Sequence, residues 1–558
     1  MPRELTHIGR IGLIAAFAIV AMLPAYFSGI PAGNDQSQHF QFANTIYSSI
    51  RSGDLYPSFA AETNHGFGDY GIRFYPPLTY YALSAAYFVV GDWYIASLAV
   101  FTLVFFCGGL GIYLWAREEF GPTQSLIAAL LYTFAPYHLN QLYNNALFAE
   151  FFATAIIPVC FLLLTRVCRK AGWLDALALA VVYSLLILTH LPLTILCSLA
   201  MGIYCLFMLR GSALVSALPK LSFSVSAAVA MTAFYWSRFL PELDWITHSS
   251  PKYFSTIWDY RTNFLLVPDH FLKFGEDVLN LWFADILLVA TLLVTIPTAV
   301  YLLSKRVKAG RFTIAAAAVL AISVFMTTPL SSPIWNNVGF LQKVQFPWRL
   351  MTIVSAFAAI VASVGIAKAA DGMKKGGSSL ATIGLGVVLA AFFFTATFVT
   401  RGAAYVPRTQ FNAQIANIAD AESCDCWWPV WAKREAFAQT VPVSVPGRNI
   451  VSSLRTPSTR RFAVDAGESA TATVAAFYYP RWQASVNGNA TEIVPDANGL
   501  MTVRIPPDSA EVELTFREPE YVRYASTVSA LAWLLVLAFG AVLLIKSMRA
   551  ETLSVARP

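Results

Sequence analysis

Apolar stretches of about twenty residues recur along almost the whole chain, and they constrain its fold more than any other feature. A helix needs about 20 consecutive apolar residues to cross the hydrocarbon core of a bilayer. Of the 558 residues, 57% are hydrophobic and 13% are charged, whereas soluble domains carry about 25% charged residues. The sequence therefore predicts a mostly α-helical, polytopic membrane protein. About twelve stretches are long enough to span: 11–29, 94–116, 122–138, 147–165, 173–190, 192–210, 221–240, 281–304, 311–328, 347–368, 378–400 and 523–546.

A further apolar segment, 76–90, is shorter than a full span, and the charges of the loops decide its path. Lys and Arg mark cytoplasmic loops. If 76–90 does not cross, both chain ends and the basic clusters at 166–170, 305–311 and 368–375 face the cytoplasm. If it crosses, the clusters face outside. We therefore expect a re-entrant or interfacial segment at 76–90. The outer face then receives 30–93, 136–150, 189–192, 241–280, 329–346 and 401–520.

The long polar stretch 401–520 has a different pattern. From about residue 440 it reads as short alternating runs such as "ATATVAAF" and "LMTVRI", with turn residues between them. Asn487-Gly488 and Asn498-Gly499 are hairpin signals. The pattern predicts a small, external antiparallel β-sandwich, either a rigid cap without chemistry or a sugar-binding module. The chain then divides into a transmembrane domain at 1–400, the β-sandwich domain at 401–520, and a final transmembrane helix with a cytoplasmic tail at 521–558.

Two cysteines, Cys424 and Cys426, precede the predicted strands. A pair separated by one residue is poorly placed to bridge with itself. A metal site needs further ligands, and none is apparent in the neighbouring sequence. The sequence therefore assigns no role to this pair.

Asp35 stands directly after the first apolar stretch, at the start of an amphipathic segment. Asp35 and Gln38 form a plausible capping box at the start of a helix. A cap alone does not explain why further ionisable residues, His65, Asp69 and Arg73, lie in the same predicted outer loop as Asp35. Both interpretations, a helix cap and a functional carboxylate, stay open at this point.

Three further outer-face positions stand out because each conflicts with the usual composition of membrane helices. Glu150 lies about one turn inside a predicted span, where an acid usually faces a polar cavity or a partner. The alternative is an ordinary acid at the interfacial end of a helix. Lys343 and Arg349 flank Pro347 on the predicted outer side, against the positive-inside trend. A guanidinium beside aromatic rings suits a lipid-linked phosphate, and contact with ordinary phospholipid is the alternative.

The stretches "RFYPPLTYY", "APYHLNQLYNNALFAEFFATAIIP", "QFPWR" and "YYPRWQASVNG" resemble a bacterial family of membrane proteins that is labelled as related to a pterin synthase. The arrangement of the whole chain resembles the GT-C superfamily of membrane glycosyltransferases. Two places depart from the family pattern. Asn144-Asn145 stand where the family tends to have an Arg, and "CDCWWPVW" stands where a tyrosine-rich "EYLPVW" is expected.

The resemblance implies a GT-C-like catalytic domain at 1–400. This domain would transfer a sugar from a polyprenyl-phosphate donor to a glycan, lipid or protein acceptor, at the periplasmic face of a bacterial inner membrane. A carboxylate such as Asp35 would be the general base, and Glu150 would be a second acid or a metal ligand. Superfamily members differ in their use of a divalent metal, so the cofactor stays open. The remaining candidates for binding substrate or phosphate are Arg349, Arg73, Lys343, His65, Asp69, His138 and His190.

A different class of function is compatible with the same residues. A non-catalytic transporter, flippase or scaffold for lipid-linked sugars would keep the phosphate-binding Arg349 but would not need Asp35. A nucleic-acid partner is not expected, because the basic residues lie in short loops between apolar spans.

Overall fold

The computed structural model describes residues 6–170, 172–250, 253, 257–272, 281–304, 310–374 and 393–555. Residues 378–392 of the predicted span 378–400, and much of the basic clusters at 305–311 and 368–375, lie outside these ranges or have undescribed side chains. The helices are α1 His7–Ser28, α2 Gln36–Arg51, α3 Leu78–Val90, α4 Trp93–Ala116, α5 Pro122–Thr133, α6 Pro136–Tyr143, α7 Phe148–Lys170, α8 Trp173–Ile187, α9 Leu191–Met208, α10 Ser212–Met231, α11 Ala233–Phe239, α12 Asp269–Leu272, α13 Leu281–Ser304, α14 Arg311–Thr327, α15 Ser332–Asn337, α16 Gly339–Gln342, α17 Met351–Lys374, α18 Arg408–Ala416 and α19 Glu520–Val555.

Within the described residues, seven helical segments are long and apolar enough to cross a membrane. The count becomes eight if α14 and the helical segment Pro329–Asn337, which are bent by 90°, form one span. The prediction of a polytopic helical protein is confirmed, and the predicted number of about twelve spans is not. The seven segments are α1, α4, α7, α9, α10, Pro347–Ala367 and Glu520–Lys546.

Broken helices account for part of the difference in number. The predicted span 122–138 contains α5, which ends at Thr133, and α6, which begins at Pro136. A proline lacks an N–H and disfavours helical backbone in the residue before it, so the helix stops there. The predicted span 221–240 likewise divides at Thr232, between α10 and α11.

The segment predicted not to cross forms the short helix α3, which has 13 residues. At 1.5 Å per residue such a helix is about 20 Å long, shorter than the hydrocarbon core of about 30 Å. It packs between α2 and α4. The Leu78 N–H donates to the Leu188 carbonyl at 2.8 Å, which joins the start of α3 to the turn between α8 and α9.

Two antiparallel sheets form the predicted β-sandwich. The chain has two short paired strands, β1 Ile30–Ala32 and β2 Ala404–Val406, and nine strands in the sandwich: β3 Val443–Ser444, β4 Ile450–Thr456, β5 Thr459–Val464, β6 Ala470–Phe477, β7 Trp482–Val486, β8 Asn489–Thr491, β9 Val494–Pro495, β10 Leu500–Ile505 and β11 Ala510–Phe516, all within the described residues. One sheet of the sandwich has the strand order β4-β5-β11-β7-β8, and the other has β3-β6-β10-β9. Alternate residues such as Phe462, Val474 and Leu514 fill the buried space of this domain.

The predicted hairpins are present at both Asn-Gly pairs. Asn487 and Gly488 have φ values of 50° and 78° and join β7 to β8. Gly499, with φ of 84°, precedes β10, which pairs with β9. The left-handed backbone at Asn487-Gly488 is the conformation that a two-residue hairpin turn needs. The connection between β9 and β10 is longer, and in it the Asp496 N–H donates to the Leu500 carbonyl and the Gly499 N–H to the Asp496 carbonyl.

A buried ionic cluster attaches the β-sandwich to the helices. Tyr479 and Arg481 of the sandwich donate to Glu242, which lies in the 3-10 turn Leu240–Trp245 after α11, at 2.6 and 2.7 Å. Arg73 donates to Glu242 and also to Glu518, which lies between β11 and α19. Because Arg73 and Glu242 are fully buried, this cluster ties the sandwich firmly to one end of the helical region.

Candidate functional site

The loop that carries Asp35 is held by two contacts distant in sequence. Strand β1, Ile30–Ala32, pairs antiparallel with β2, Ala404–Val406. The next residue, Gly33, packs against the backbone between α6 and α7. A Cβ at position 33 would lie 2.5 Å from the Asn145 carbonyl carbon, so only glycine fits without movement. These contacts bring Asp35 beside the first turn of α7, which contains Glu150.

Asp35 does not cap the helix that follows it. Helix α2 begins at Gln36, and the Asp35 side chain makes no capping hydrogen bond. Gln38, the other half of the predicted capping box, instead accepts from the Cys424 N–H at 3.0 Å. The capping interpretation of the Asp35 side chain is therefore wrong. Among the described residues, its half-buried carboxylate has no hydrogen-bond or ion-pair partner.

Burial raises the pKa of Asp35 from 3.8 to about 6. The positive charge of Arg349 opposes this increase, and the negative charge of Glu150 adds to it. A carboxylate with such a pKa is a stronger base than an ordinary Asp and is still mostly ionised near neutral pH.

Glu150 and Arg349 form a buried ion pair. The Arg349 Nε donates to Glu150 Oε2 at 3.3 Å. The other carboxylate oxygen, Oε1, accepts from the Tyr137 hydroxyl and from Gln141 Nε2, both at 2.7 Å. The buried acid therefore has polar partners, as acids within spans generally do. Because the Glu150 oxygens hold Arg349 in place, they are less available for a second role.

Part of the Arg349 guanidinium is available to a ligand. Arg349 lies in a short 3-10 turn, Pro347–Leu350, directly before α17. Its Nη1 donates to the Val344 carbonyl at 2.7 Å, and the guanidinium lies 4.5 Å from the Phe346 ring centre. Its Nη2 has no hydrogen-bond partner within the described ranges, although the residue is only 8% exposed. An unpaired, nearly buried guanidinium edge is suited to a phosphate oxygen.

His190 presents a second donor near this guanidinium. Its Nδ1 accepts from the Leu193 N–H at 3.2 Å, which caps α9 and leaves the proton of the neutral ring on Nε2. Burial and the positive charge of Arg349 lower the pKa of His190 well below 6.5, so the ring is neutral. Helix α9 packs against the 3-10 turn that carries Arg349. A neutral Nε2–H is therefore held on the same side of the helical region as Arg349.

His39 has a structural role in the same region. Its Nε2 accepts from the Phe148 N–H at 3.2 Å, at the start of α7, and its Nδ1 lies 2.9 Å from the Tyr80 hydroxyl. Burial lowers the pKa of His39 to about 3, so the ring stays neutral. This contact fixes the start of α7 and, with it, the position of Glu150.

The structure brings together Asp35, Glu150, His190 and Arg349, and we call these four residues the carboxylate–guanidinium cluster. Arg73 lies elsewhere, because all its N–H groups are occupied by Glu242, Glu518 and the Ser58 carbonyl. The structure thus corrects the predicted phosphate role of Arg73 to an attachment role. The charge of Lys343 acts, with that of Arg349, on the half-buried His248.

The other three predicted residues also make local contacts away from this cluster. His65 is exposed and lies 3.4 Å from Asp420. Asp69 is buried and accepts from the Gly71 N–H at 2.5 Å. His138 is buried with its ring against Tyr132 and its Nδ1 3.2 Å from the Tyr132 carbonyl. Among the described residues, no hydrogen bond or ion pair joins these three side chains to the cluster, and their predicted binding roles stay predictions.

The expectation that Cys424 and Cys426 do not bridge one another is also corrected. The two sulfurs are bonded, and the two Cα atoms are 5.1 Å apart, within the normal range for a disulfide. A 3-10 turn, Asp425–Trp427, brings them together by curving the chain between them. The part of the chain that the structure describes contains no group of three or more His, Cys, Asp or Glu side chains arranged to hold a metal ion.

One residue near the cluster was not among the sequence candidates. The electrostatic effects of Asp35, Arg349 and Glu150 all reach the Tyr75 hydroxyl. Its ring packs edge-to-face on His39 at 5.7 Å and on Trp427 at 5.7 Å. The available sequence signal was the Pro76-Pro77 pair, which restricts the backbone of the residue before it.

The fold and this cluster define a polytopic membrane protein with a free carboxylate and a partly paired guanidinium at the end of the helical region that carries a β-sandwich. The chain belongs to the family described as 6-pyruvoyl-tetrahydropterin synthase related domain, membrane protein, which matches residues 72–399. It is 25% identical over 241 residues to an uncharacterized protein of Lactococcus lactis subsp. cremoris strain MG1363. That alignment covers 41% of this chain and 39% of the relative.

Two solved structures are similar to the chain. The oligosaccharyltransferase of Archaeoglobus fulgidus in its apo form has a TM-score of 0.44 and 14% identity, over 74% of this chain and 58% of that one. ArnT from Cupriavidus metallidurans bound to undecaprenyl phosphate has a TM-score of 0.39 and 14% identity, over 74% of this chain and 70% of that one. The chain thus spans little more than half of the archaeal enzyme, and its activity has to be inferred from its own residues.

Proposed function

We propose that the chain is a membrane glycosyltransferase that moves a sugar from a polyprenyl-phosphate donor to an acceptor hydroxyl. The observation that carries this proposal is that the half-buried Asp35 carboxylate lies near Arg349, and that neither this carboxylate nor the Arg349 Nη2 has a partner among the described residues. The first group is suited to receive a proton, and the second to bind an anion. A glycosyl transfer with a phosphate leaving group needs both at one site.

In the proposed reaction, Asp35 removes the proton from the acceptor hydroxyl while that oxygen attacks the anomeric carbon of the donor sugar. The bond between the anomeric carbon and the phosphate oxygen breaks, and the electron pair leaves with the polyprenyl phosphate. The raised pKa of Asp35, about 6, supports this role, because a general base works best when its pKa is close to the working pH.

Arg349 and His190 would bind the phosphate of the donor. The Arg349 Nη2 and the His190 Nε2–H are donors without partners in the described part of the chain. Donors fixed in advance stabilise charge that develops on a leaving group in the transition state. In this assignment Glu150 is a positioning residue that holds Arg349, and not a second acid or a metal ligand.

The remaining features of the proposal follow from position and charge. Loop charges favour the periplasmic face of a bacterial inner membrane for the reaction, with 1–400 as the catalytic domain, 401–520 as the external β-sandwich domain and 521–558 as the last span and tail. Arg349 lies at the start of an apolar segment, Pro347–Ala367, that is long enough to cross the membrane. This position at the predicted outer end of a span favours a phosphate with a lipid tail over a soluble nucleotide donor.

The substitution Asp35→Asn tests the proposal. Asn has nearly the shape of Asp but cannot accept the proton, so transfer from synthetic polyprenyl-phosphate sugars should fall by about 100-fold or more, the usual scale for a general base. The thermal stability of the variant in detergent should not fall, since the native side chain makes no capping bond. Asp508→Asn, at an exposed position of the β-sandwich, is the matched control.

A fully active Asn variant would contradict catalysis by Asp35. It would favour the second candidate, a flippase or scaffold for lipid-linked sugars, which needs the anion-binding Arg349 alone. Measuring the movement of a labelled polyprenyl-phosphate sugar across proteoliposomes, with the parent and the two variants, separates that function from transfer.

A further inference from the structure

Two aromatic side chains beside the carboxylate–guanidinium cluster carry polar atoms that form no hydrogen bond within the described part of the chain. The Tyr75 hydroxyl and the Trp427 indole N–H have no hydrogen-bond partner among the described residues, and both side chains are half-buried. Other aromatic polar atoms nearby are paired: Tyr80 with His39, and the indole N–H of Trp428 with Ser423. Packing alone therefore explains the rings of Tyr75 and Trp427 but not their polar atoms.

Both rings are rigidly held. Tyr75 packs edge-to-face on Trp427, with ring centres 5.7 Å apart. The Trp427 indole stacks on His248 at 4.7 Å and lies against Gly71, where a Cβ would be 2.7 Å from the indole Cγ. The Tyr75 N–H donates to the Gly71 carbonyl at 3.0 Å. The two polar atoms are therefore presented at fixed positions, which lowers the entropy lost when a ligand binds.

The segment that carries Trp427 is also tied to the segment that carries Asp35. Gln38, three residues after Asp35, accepts from the Cys424 N–H at 3.0 Å, and Gln41 Nε2 donates to the Ala421 carbonyl at 3.0 Å. The disulfide between Cys424 and Cys426 closes the turn directly before Trp427. Asp35 and Trp427 are far apart in sequence, but the hydrogen bonds between their two segments lie only three to six residues from each of them.

The electrostatics define what these groups are able to bind. Burial and the negative charge of Asp35 raise the pKa of Tyr75 above its usual range, so its hydroxyl keeps the proton and is able to donate. The indole N–H is a donor only, and the Asp35 carboxylate is an acceptor. The Asp35 carboxylate accepts a hydrogen bond, the Trp427 indole N–H donates one, and the Tyr75 hydroxyl is able to do both. Together these three groups match the adjacent hydroxyl groups of an uncharged sugar ring.

We propose that Tyr75 and Trp427 form an acceptor subsite for a saccharide, in which the Tyr75 hydroxyl and the Trp427 indole N–H bind ring hydroxyls next to the one that Asp35 deprotonates. This inference rests on the proposed function and narrows its acceptor to a carbohydrate. A phospholipid acceptor is less suited, because the negative charge of Asp35 would repel its phosphate and, in the proposed function, the Arg349 Nη2 binds the phosphate of the donor. The β-sandwich then has no need to bind the sugar itself.

Binding of defined probes to the full-length protein in nanodiscs tests the subsite. The probes are the methyl pyranosides of glucose, mannose and galactose, a blocked tripeptide and dihexanoyl phosphatidylglycerol, each followed by saturation-transfer NMR. We expect at least one pyranoside to bind the parent. Tyr75→Phe and Trp427→Phe each remove one hydrogen-bonding atom or group and keep an aromatic ring, so each should weaken that binding by about 2- to 10-fold.

Tyr478→Phe and Trp431→Phe are the matched controls, because these two rings pack on one another at 5.0 Å in the β-sandwich region. Both controls should leave pyranoside binding unchanged. Melting curves of all four variants exclude loss of the fold. Equal binding by Tyr75→Phe, Trp427→Phe and the parent would overturn the subsite, and so would a parent that binds no pyranoside.

Sugar transfer from a polyprenyl-phosphate donor, measured on the same samples, separates the two proposals. Transfer to the tripeptide or the lipid without pyranoside binding overturns the subsite and supports the proposed function. Pyranoside binding that depends on Tyr75 and Trp427, in a parent that transfers from no polyprenyl-phosphate sugar, supports the subsite as a sugar site and overturns the proposed function.

Discussion

Replacing Glu150 with Gln tests whether the buried ion pair is what positions Arg349. Glu150 is 1% exposed and Arg349 is 8% exposed. In the native protein the carboxylate accepts from Tyr137 and Gln141 through one oxygen and from Arg349 through the other. A Gln side chain of nearly the same shape keeps an acceptor for the first two residues. It then points an NH₂ group at the Arg349 Nε–H, so two donors face each other.

The expected loss of stability follows from this geometry. Removing one partner of a buried ion pair leaves an uncompensated buried charge and costs about 3–5 kcal/mol. Replacing both partners removes the uncompensated charge, so the double variant Glu150→Gln/Arg349→Met should lose much less than the sum of the two single losses. We expect an interaction energy of about 2–3 kcal/mol, near the upper end of the range for residues in contact.

Unfolding of the four proteins in mixed micelles, followed by tryptophan fluorescence, gives the double-mutant cycle. The same samples are assayed for sugar transfer, and all three variants should be nearly inactive because none keeps an oriented guanidinium. Additive losses of stability, within about 0.5 kcal/mol, would refute the ion pair as an energetic unit. Full transfer activity in Glu150→Gln would refute its positioning role.

Two further predictions concern Asp35 and the loop before it. Because the pKa of Asp35 is raised from 3.8 to about 6 in the folded protein, the folded state binds more protons between these values, and the contribution of Asp35 to stability decreases as pH rises through this window. Sugar transfer should instead rise with pH through about 6 and then level off, as the base ionises, whereas an Asp35→Asn variant that kept the same pH profile would contradict this. Gly33→Ala would place a methyl group 2.5 Å from the Asn145 carbonyl carbon, so it should destabilise the protein by about 1–3 kcal/mol and reduce transfer. Gly339→Ala, where the added methyl meets nothing within 4 Å, is its control, and equal melting temperatures of the two variants would contradict the predicted contact.

The sequence revealed two members of the carboxylate–guanidinium cluster, Glu150 and Arg349, because each conflicts with the usual composition of membrane helices. An acid inside a span and an arginine on the predicted outer side both need partners, and Glu150 and Arg349 prove to be each other's partner. The strands of the β-sandwich were predictable for a related reason, since alternation of apolar residues and the Asn-Gly turns are local signals. The turns and strands depend on a few neighbouring residues, and sequence patterns show such local features directly.

The features that the sequence did not reveal depend on contacts between distant segments. Arg73 and Asp35 lie in the same predicted loop, but Arg73 is drawn to Glu242 and Glu518, residues far along the chain. The approach of Trp427 to Tyr75 likewise depends on bonds between residues 38 and 424, and between 41 and 421. The composition and the residue spacing do not indicate such contacts between distant residues.

The division of roles between the two carboxylates follows from how their oxygens are used. Both acids lie near Arg349, and composition alone gives no reason to prefer one as the base. Glu150 accepts from Tyr137, Gln141 and Arg349, so taking up a proton would disrupt the arrangement that orients the guanidinium. Asp35 has no such partners in the described part of the chain, and its proton uptake disturbs nothing. For the proposed reaction we therefore assign the exchange of a proton to Asp35, and to Glu150 the positioning of the guanidinium that would bind the phosphate.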